Sequence, residues 1–463
     1  MRVLYVVHDY LPNHPSGTEI YTAQLAKRMA ERGHEVRVFT TEKDISRSNG
    51  QVVNRTWDGI EVEEWTNNLF YERFSETWEY ASAEAALQAA LERFRPDVVH
   101  FMHLLYLSAS LPRIAREFGC VTTMTLHDFW LQCARFGQRL HPDGSVCHTI
   151  ERERCGECLS RFKFAQTGLE RRLAEGVAKV KQGIGVDVSS VLKRARDRMA
   201  SPPDAPESFE PDRELARERA DDLAQRESFL REECIPNVMR FFAPSRFLYD
   251  RFVEWGMPAE KIEHLTYGLD TEPFKALERT ESELVRIAFL GTLAPHKGAH
   301  LVLRAWASLP QELRAAGTLE IYGPRSHNAG YVAELDELAD AVELELAGGL
   351  RREEVPAMLA RTDLLVVPST WYENSPLTIH EAGAAGVALC VSDLGGMAEL
   401  VTPGENGWRF RTGDVADLAR VFAEALADRA LVRARAGAAP KDMRESALEM
   451  EARYESLLAR VRA

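Results

Sequence analysis

The chain has 463 residues, with 57 Lys or Arg against 71 Asp or Glu and a formal charge of −14. Its length fits two or three domains at roughly 100–200 residues each, and its acidic balance argues against a protein that tracks nucleic-acid phosphates over a broad basic surface. Hydrophobic residues make up 45% and Cys only seven, which suits packed cores and not a secreted disulfide scaffold. No apolar run approaches the ~20 residues that span a bilayer. The first residues turn polar too soon for a signal peptide, so the expectation is a cytoplasmic protein.

Residues 3–7 form a short apolar run bounded by His8, Asp9 and Pro12, the pattern of a strand buried on both faces. Ser16-Gly17-Thr18-Glu19 then opens a helix. Tyr21, Leu25 and Met29 recur every four residues along it, and Gly33 sits where a left-handed cap belongs. A second strand reads at 35–40, completing a βαβ unit with a parallel sheet. Further strands are predicted at 97–101 and 122–126. From 131 to 158 the chain is irregular and holds four Cys. From 161 to 236 it is mostly charged and reads as helical, broken by Ser201-Pro202-Pro203 and Pro206. Residues 161–199 carry ten basic and four acidic side chains, residues 204–233 five and eleven. A solvated helical pair explains this split, as does a membrane-surface or acceptor-binding face on the basic half. The α/β pattern returns after 240, with strands at 285–290, 319–322, 363–368 and 388–392, and a terminal helix is predicted from 445.

The expected fold is therefore α/β, with two facing Rossmann-like doubly wound domains and a Cys-containing, helical insertion. The first domain is placed at 1–236, including the insertion at 131–236. The second is placed at 237–444, and 445–463 is expected to pack back on the first. Such sheets bind ligands beyond the carboxyl ends of their strands, so two of them facing each other define a cleft. Glycines at strand–helix turns let backbone amides approach phosphate. Three turns stand out: Ser16-Gly17-Thr18, Gly291-Thr292 with Lys297-Gly298, and Gly395-Gly396.

The strongest signal is Trp371-Tyr372-Glu373-Asn374-Ser375-Pro376-Leu377-Thr378-Ile379-His380-Glu381, directly after a predicted strand. Pro376 suits the first turn of a helix. Glu373 then lies in the loop and Glu381 about one and a half turns into the helix. Two carboxylates so placed suit a hydroxyl-rich ligand, since each accepts two hydroxyl hydrogen bonds; the other reading is a surface charge pair.

This segment resembles the Glu–seven residues–Glu motif of retaining glycosyltransferases of the two-Rossmann GT-B fold, specifically family four. Gly291 to Lys297-Gly298, Pro368-Ser369, Gly395-Gly396 with Glu399, and Gly404-Glu405-Asn406-Gly407 agree with it. So do Gly17-Thr18-Glu19, Ala243-Pro244-Ser245 and Tyr267-Gly268-Leu269-Asp270. The resemblance covers nearly all of 240–430 and more loosely 1–130, and leaves 131–236 unexplained. It implies that Glu381 binds the ribose hydroxyls of a nucleotide-diphosphate sugar and that Glu373 faces the sugar. Lys297 would neutralise the diphosphate, near Gly291. Amides at Leu377 and Thr378, with Ser375 beside them, would cradle the distal phosphate. Gly17 would approach from the other domain. His127 matches a His at the active-site mouth, with a core or capping His as its alternative, and Asp128 could orient it on the acceptor side.

Many relatives carry Arg after the glycine matching Gly291, where this chain has Thr292. His296 or Arg246 is then the candidate second cation. No Asp-x-Asp triplet occurs, so the diphosphate is expected to rest on Lys297 and a helix N-terminus with no catalytic cofactor or metal. The family retains anomeric configuration, and front-side displacement with the leaving phosphate as base is the expected route. The implied acceptor is a sugar, a lipid-linked or a small molecule, in cell-surface polysaccharide or glycolipid synthesis, with peripheral membrane contact and no nucleic acid. A sugar-nucleotide epimerase of the same fold and a non-catalytic nucleotide-sugar-binding protein are the alternatives. Cys133, Cys147, Cys155 and Cys158 form C-x13-C-x7-C-x2-C. Four thiolates with one close pair suit a structural zinc; reduced thiols, a redox pair or an iron–sulfur cluster remain open. Cys120, Cys234 and Cys390 read as isolated buried thiols.

Overall fold

The run at 3–7 becomes β1 (Arg2–Val7), buried on both faces between α-helical layers. In this computed structural model the described residues are 1–172, 175–176, 210–326 and 328–462. The Ser201-Pro202-Pro203 and Pro206 break, and much of the basic half of the charged stretch, lie outside them. After β1 come β2 (Glu35–Glu42), β3 (Val52–Trp57), β4 (Ile60–Thr66), β5 (Val98–Phe101), β6 (Val121–Thr125), β7 (Arg240–Ala243) and β8 (Ile262–His264). These eight form one sheet in the order β3-β4-β2-β1-β5-β6-β7-β8. Every pair is parallel except β3–β4, a hairpin whose turn residues Asp58 and Gly59 have φ of 50° and 80°.

A second sheet holds β9 (Val285–Leu290), β10 (Gly317–Tyr322), β11 (Leu364–Val367), β12 (Ala388–Ser392) and β13 (Gly407–Phe410), all parallel, in the order β10-β9-β11-β12-β13. The two doubly wound α/β units expected from the sequence are thus present. The boundary differs from the expected 236/237, because β7 and β8 extend the first sheet past it. They are four and three residues long at that sheet's edge, too short to show a period.

The chain crosses between the sheets twice, after β8 and again before the terminal helix Met443–Arg462. That helix begins two residues before Glu445 and buries Met443, Ala447, Met450, Tyr454 and Leu457 against Val3, Tyr5 and Val7 of the first sheet. Tyr454 hydrogen-bonds His100 of β5, and Glu451 holds His34 at 2.7 Å. Within the insertion, helix Arg213–Phe229 is capped by Asp212, which accepts the Glu214 and Leu215 amides at 3.1 Å, and packs on helix Arg152–Leu159.

Among the parallel strands of each sheet the order reverses at one place, β1/β5 in the first and β9/β11 in the second. Crevices form at the carboxyl ends of strands at such points. The loops leaving these strands carry most of the candidate residues.

Candidate active site

A cleft of about 870 Å³ lies between the two sheets. Gly17, His127 and Asp128 line it from the first domain, and Gly291, Lys297, Glu373, Ser375, Leu377, Thr378 and Glu381 from the second. The structure thus brings together all ten residues assigned to donor, catalytic or acceptor roles. The walls come close where a Cβ at Gly17 would lie 3.9 Å from the Leu377 side chain.

The second domain's wall is built on β9 and β11. After β9 the chain turns through Pro295–Lys297 to Gly298, whose φ is 77° and whose Cβ, if present, would meet the Pro368 carbonyl oxygen at 2.2 Å. Only glycine fits there, and the approach puts Lys297 beside the loop after β11. Lys297 Nζ donates to Glu373 Oε1 at 2.6 Å. Ser369 Oγ and Trp371 Nε1 donate to the same oxygen at 2.9 and 2.8 Å. Burial pushes the Glu373 carboxyl up, but the Lys297 ammonium and the other donors override it and hold its pKa below the usual value. Lys297 also lies 4.8 Å from the Trp371 ring centre, and His296 packs against the same ring.

Helix Leu377–Ala384 starts immediately after this loop, with Pro376 as its N-cap. Its first amides, Leu377 and Thr378, have no carbonyl of their own helix within reach; they lie at the positive end of the helix and belong to residues that line the cleft. Glu381, one turn further, is 2% exposed and accepts a hydrogen bond from Arg352 Nη1. Burial raises its pKa, and Arg352 opposes that rise. Ser375 Oγ pairs with His380 Nε2 at 2.7 Å, and burial lowers His380 to about 4, so the imidazole is neutral.

The structure corrects two expectations. Arg246 is not brought to Lys297. Its guanidinium pairs with Asp250 at 3.0 Å and lies over Tyr249, while its backbone amide is capped by Glu399 at 2.8 Å. The other candidate, His296, does line the cleft, and so do Arg351 and Arg352, which the sequence reading missed; the two arginines open a single 3-10 turn, Arg352–Glu354. Second, Gly395-Gly396 is not a phosphate turn. The Gly396 amide is spent on the Glu373 carbonyl at 2.7 Å, and a Cβ at Gly396 would fall 1.9 Å from the Asn374 carbonyl oxygen. The pair is a backing plate for the Glu373 loop.

Cys133, Cys147, Cys155 and Cys158, the candidate zinc ligands, lie together in the insertion. They line one cavity of about 180 Å³ with His141 and Arg226, but among the described residues no three His, Cys, Asp or Glu side chains are grouped to hold a metal. Each thiol has its own surroundings. Cys147 Sγ donates to the Thr149 carbonyl at 3.1 Å, and Cys158 Sγ lies 3.0 Å from His141 Nδ1. Burial pushes Cys155 up to about 12 and Cys158 up to about 11, which favours the neutral thiol. The segment nevertheless reaches the site, because His148 Nδ1 meets Tyr372 Oη at 2.6 Å, one residue before Glu373.

The first domain's wall gathers His8 after β1, His103 after β5, and His127 with Asp128 after β6. His127 Nδ1 is bonded to Tyr267 Oη. Burial raises the Tyr267 pKa well above its usual value, so the phenol keeps its proton. Burial also holds His127 neutral. His127 Nε2 is buried and has no hydrogen-bond partner among the described residues. The His127 carbonyl accepts Asn374 Nδ2 at 2.9 Å, which ties the two walls together.

Comparison with known proteins bears on this arrangement. The chain matches the family model "Glycosyl transferases group 1" over residues 270–447 and "Glycosyl transferase 4-like domain" over 16–154. The chain belongs to the group 1 glycosyltransferases of the GT-B fold. Among relatives of this glycosyltransferase family, a glycogen synthase of Mycobacterium tuberculosis is 32% identical over 189 residues, 40% of this chain and 44% of that protein. The amylovoran biosynthesis glycosyltransferase AmsK of Erwinia amylovora is 27% identical over 38% of this chain and 45% of its own. The chain spans about half the length of the curated relatives it matches. The sucrose-phosphate synthase of Thermosynechococcus elongatus superposes with a TM-score of 0.64 at 17% identity, over 99% of both chains. Anabaena HepE, solved with UDP and glucose, superposes with a TM-score of 0.60 at 16% identity, over 98% of this chain and 100% of its own. Both are GT-B glycosyltransferase folds like this one.

Proposed function

We propose that this chain is a retaining glycosyltransferase that moves a hexosyl group from a nucleoside-diphosphate sugar to an acceptor hydroxyl without a catalytic metal. The observation that carries the reading is the second domain's wall. One loop and one helix set two carboxylates, Glu373 and Glu381, beside Lys297, Arg352 and the free first-turn amides of Leu377 and Thr378. Carboxylates bind hydroxyls, while cations and amides bind phosphate oxygens, so a ligand with both sugar hydroxyls and a diphosphate satisfies all of them.

In this reading Glu381 accepts the ribose hydroxyls, sharing its second oxygen with Arg352. Glu373 keeps Lys297 in place through Oε1 and offers Oε2 to the sugar. As the glycosidic bond to the diphosphate breaks, negative charge grows on the leaving oxygen, and Lys297, Arg352 and the helix amides already point at it. His127 Nε2 hydrogen-bonds a hydroxyl of the reacting sugar from the opposite wall. The acceptor oxygen arrives on the face the diphosphate leaves, and its proton passes to the departing phosphate oxygen, which retains configuration. An acceptor in polysaccharide or glycolipid assembly suits this wall, and relatives such as AmsK point the same way. No helix among the described residues is long and apolar enough to cross a membrane.

The test is nucleoside-diphosphate release from UDP-glucose, ADP-glucose and GDP-mannose, in EDTA and in Mn²⁺. Release from one donor in EDTA, with the anomeric configuration kept in the product, is expected. Strict Mn²⁺ dependence or an inverted product overturns the mechanism. Interconversion of the sugar without nucleotide release would make the chain an epimerase, and binding without turnover would make it a non-catalytic sugar-nucleotide protein.

A further inference from the structure

The attacking hydroxyl must be held from the first domain's wall, and we infer that Asp128, fixed in place by a buried His103, is the group that receives it. This rests on the glycosyltransferase reading above and adds to it a positioning residue on the acceptor side. β1, β5 and β6 are adjacent, and the strand order reverses at β1/β5, so the loops after them meet at the crevice of the first sheet.

His103 is 4% exposed. Its Nδ1 accepts the Leu105 amide at 3.0 Å and so carries no proton. The ring's proton is therefore on Nε2, which donates to Asp128 Oδ2 at 3.0 Å. The Trp130 amide donates to Asp128 Oδ1 at 2.7 Å. Both carboxylate oxygens are thus held, and each retains accepting capacity. Asp128 is still 34% exposed and lines the cleft next to His127.

Behind this pair the packing is polar and tight. The His8 and His103 rings lie 4.5 Å apart, and His8 Nε2 is 3.4 Å from Glu19 Oε1. A histidine needed only for packing has no reason to be locked in one tautomer with its single proton aimed at a cleft-lining carboxylate. In the transfer step Asp128 accepts a hydrogen bond from the incoming hydroxyl and orients its oxygen. The bond from that oxygen to the anomeric carbon forms, the bond from that carbon to the diphosphate oxygen breaks, and the proton goes to the diphosphate. Asp128 is unchanged at the end.

The experiment uses the full chain and measures nucleotide release from the three donors above, with glycerol as the hydroxyl probe, alongside calorimetric affinity for UDP, ADP and GDP. Asp128→Asn is expected to lower release at least about tenfold with nucleotide affinity within twofold of the parent. His103→Leu should reproduce most of that loss. His103→Gln, which can still donate to Asp128, should recover most of the parent rate. A His103→Leu protein that turns over like the parent overturns the proposal, and so does a loss that His103→Gln fails to recover. Imidazole ¹⁵N shifts give a readout that does not depend on activity: His103 protonated at Nε2 alone supports the pair, and a proton on Nδ1 overturns it. If the parent releases nucleotide from no donor, the transferase reading fails first, and the ¹⁵N result still tells whether the His103–Asp128 geometry is right.

Discussion

The two walls of the cleft are made by opposite means. The second domain's wall is charged, and its charges are already engaged: Lys297 with Glu373, Arg352 with Glu381. The first domain's wall relies on buried imidazoles, His8 and His127 held neutral by burial and His103 paired with the partly exposed Asp128, with Glu19, 1% exposed, behind them. A wall that meets a diphosphate gains from cations held where charge will develop, since they need no reorganisation at that moment. A wall that meets a neutral hydroxyl gains from directional donors and acceptors, of which the held Asp128 carboxylate is one.

Removing the charge on the donor side should have the largest effect. Lys297→Ala is expected to lower turnover about 10²-fold at saturating donor, the scale set by loss of one preorganised electrostatic contact. Parent-like kcat in a folded variant would shift the burden to Arg352. Next, Glu381→Ala should weaken nucleotide-sugar binding by about 1.5–3 kcal/mol, the loss of hydrogen bonds to a charged group. Calorimetry that finds unchanged affinity would remove Glu381 from the site and leave the two walls less distinct than described.

The acceptor side can be probed through pH. Burial, with Asp9 nearby, pushes Glu19 up to about 7 from 4.5. Between those values the folded chain holds a proton that the unfolded chain has released, so this group's contribution to stability falls as pH rises from 4.5 to 7 and is flat above. Glu19→Gln removes that loss. It should be more stable than the parent by about 1–3 kcal/mol at pH 8 and nearly equal to it at pH 4. Chemical denaturation at the two pH values measures the difference, and an equal gap at both would mean that Glu19 is ionised throughout. The smallest effect is expected where the walls are joined through the insertion. Tyr372→Phe deletes the bond to His148 and should cost about 0.5–1.5 kcal/mol of stability, read as a small drop in Tm, with little change in kcat.

The same contrast decides what could be read from the amino-acid sequence. The donor wall was legible because a strand, a loop and a helix place Ser369, Glu373, Leu377 and Glu381 within thirteen residues, and local spacing there translates directly into geometry. His103 and Glu19 were not legible as site residues, since their meaning arises only when β1, β5 and β6 lie side by side. Arg351 and Arg352 were missed for a related reason: two arginines followed by two glutamates look like any solvated turn. The β3–β4 hairpin did have a local signal, Asp58-Gly59 between Val- and Ile-containing runs, which is a favoured two-residue hairpin turn. The thiol cluster shows the converse. Close spacing of Cys155 and Cys158 suggested a metal; the helix from Arg152 to Leu159 directs them into one cavity with Cys133, Cys147 and His141, where among the described residues no three such side chains are grouped to hold one.

The two crossings of the chain between sheets have a mechanical consequence. A pair of domains joined by one strand can twist and tilt in any direction, whereas two passages hydrogen-bonded to each other act as one stiffer strip. The passage after β8 and the return before Met443 run side by side: the Leu269 amide donates to the Lys441 carbonyl and the Met443 amide to the Leu269 carbonyl, each at 2.9 Å. Met443–Arg462 anchors that strip against β1. Cutting the chain before Met443 would remove half of the strip and expose the Val3–Tyr5 face, so a part of the core would be lost with it.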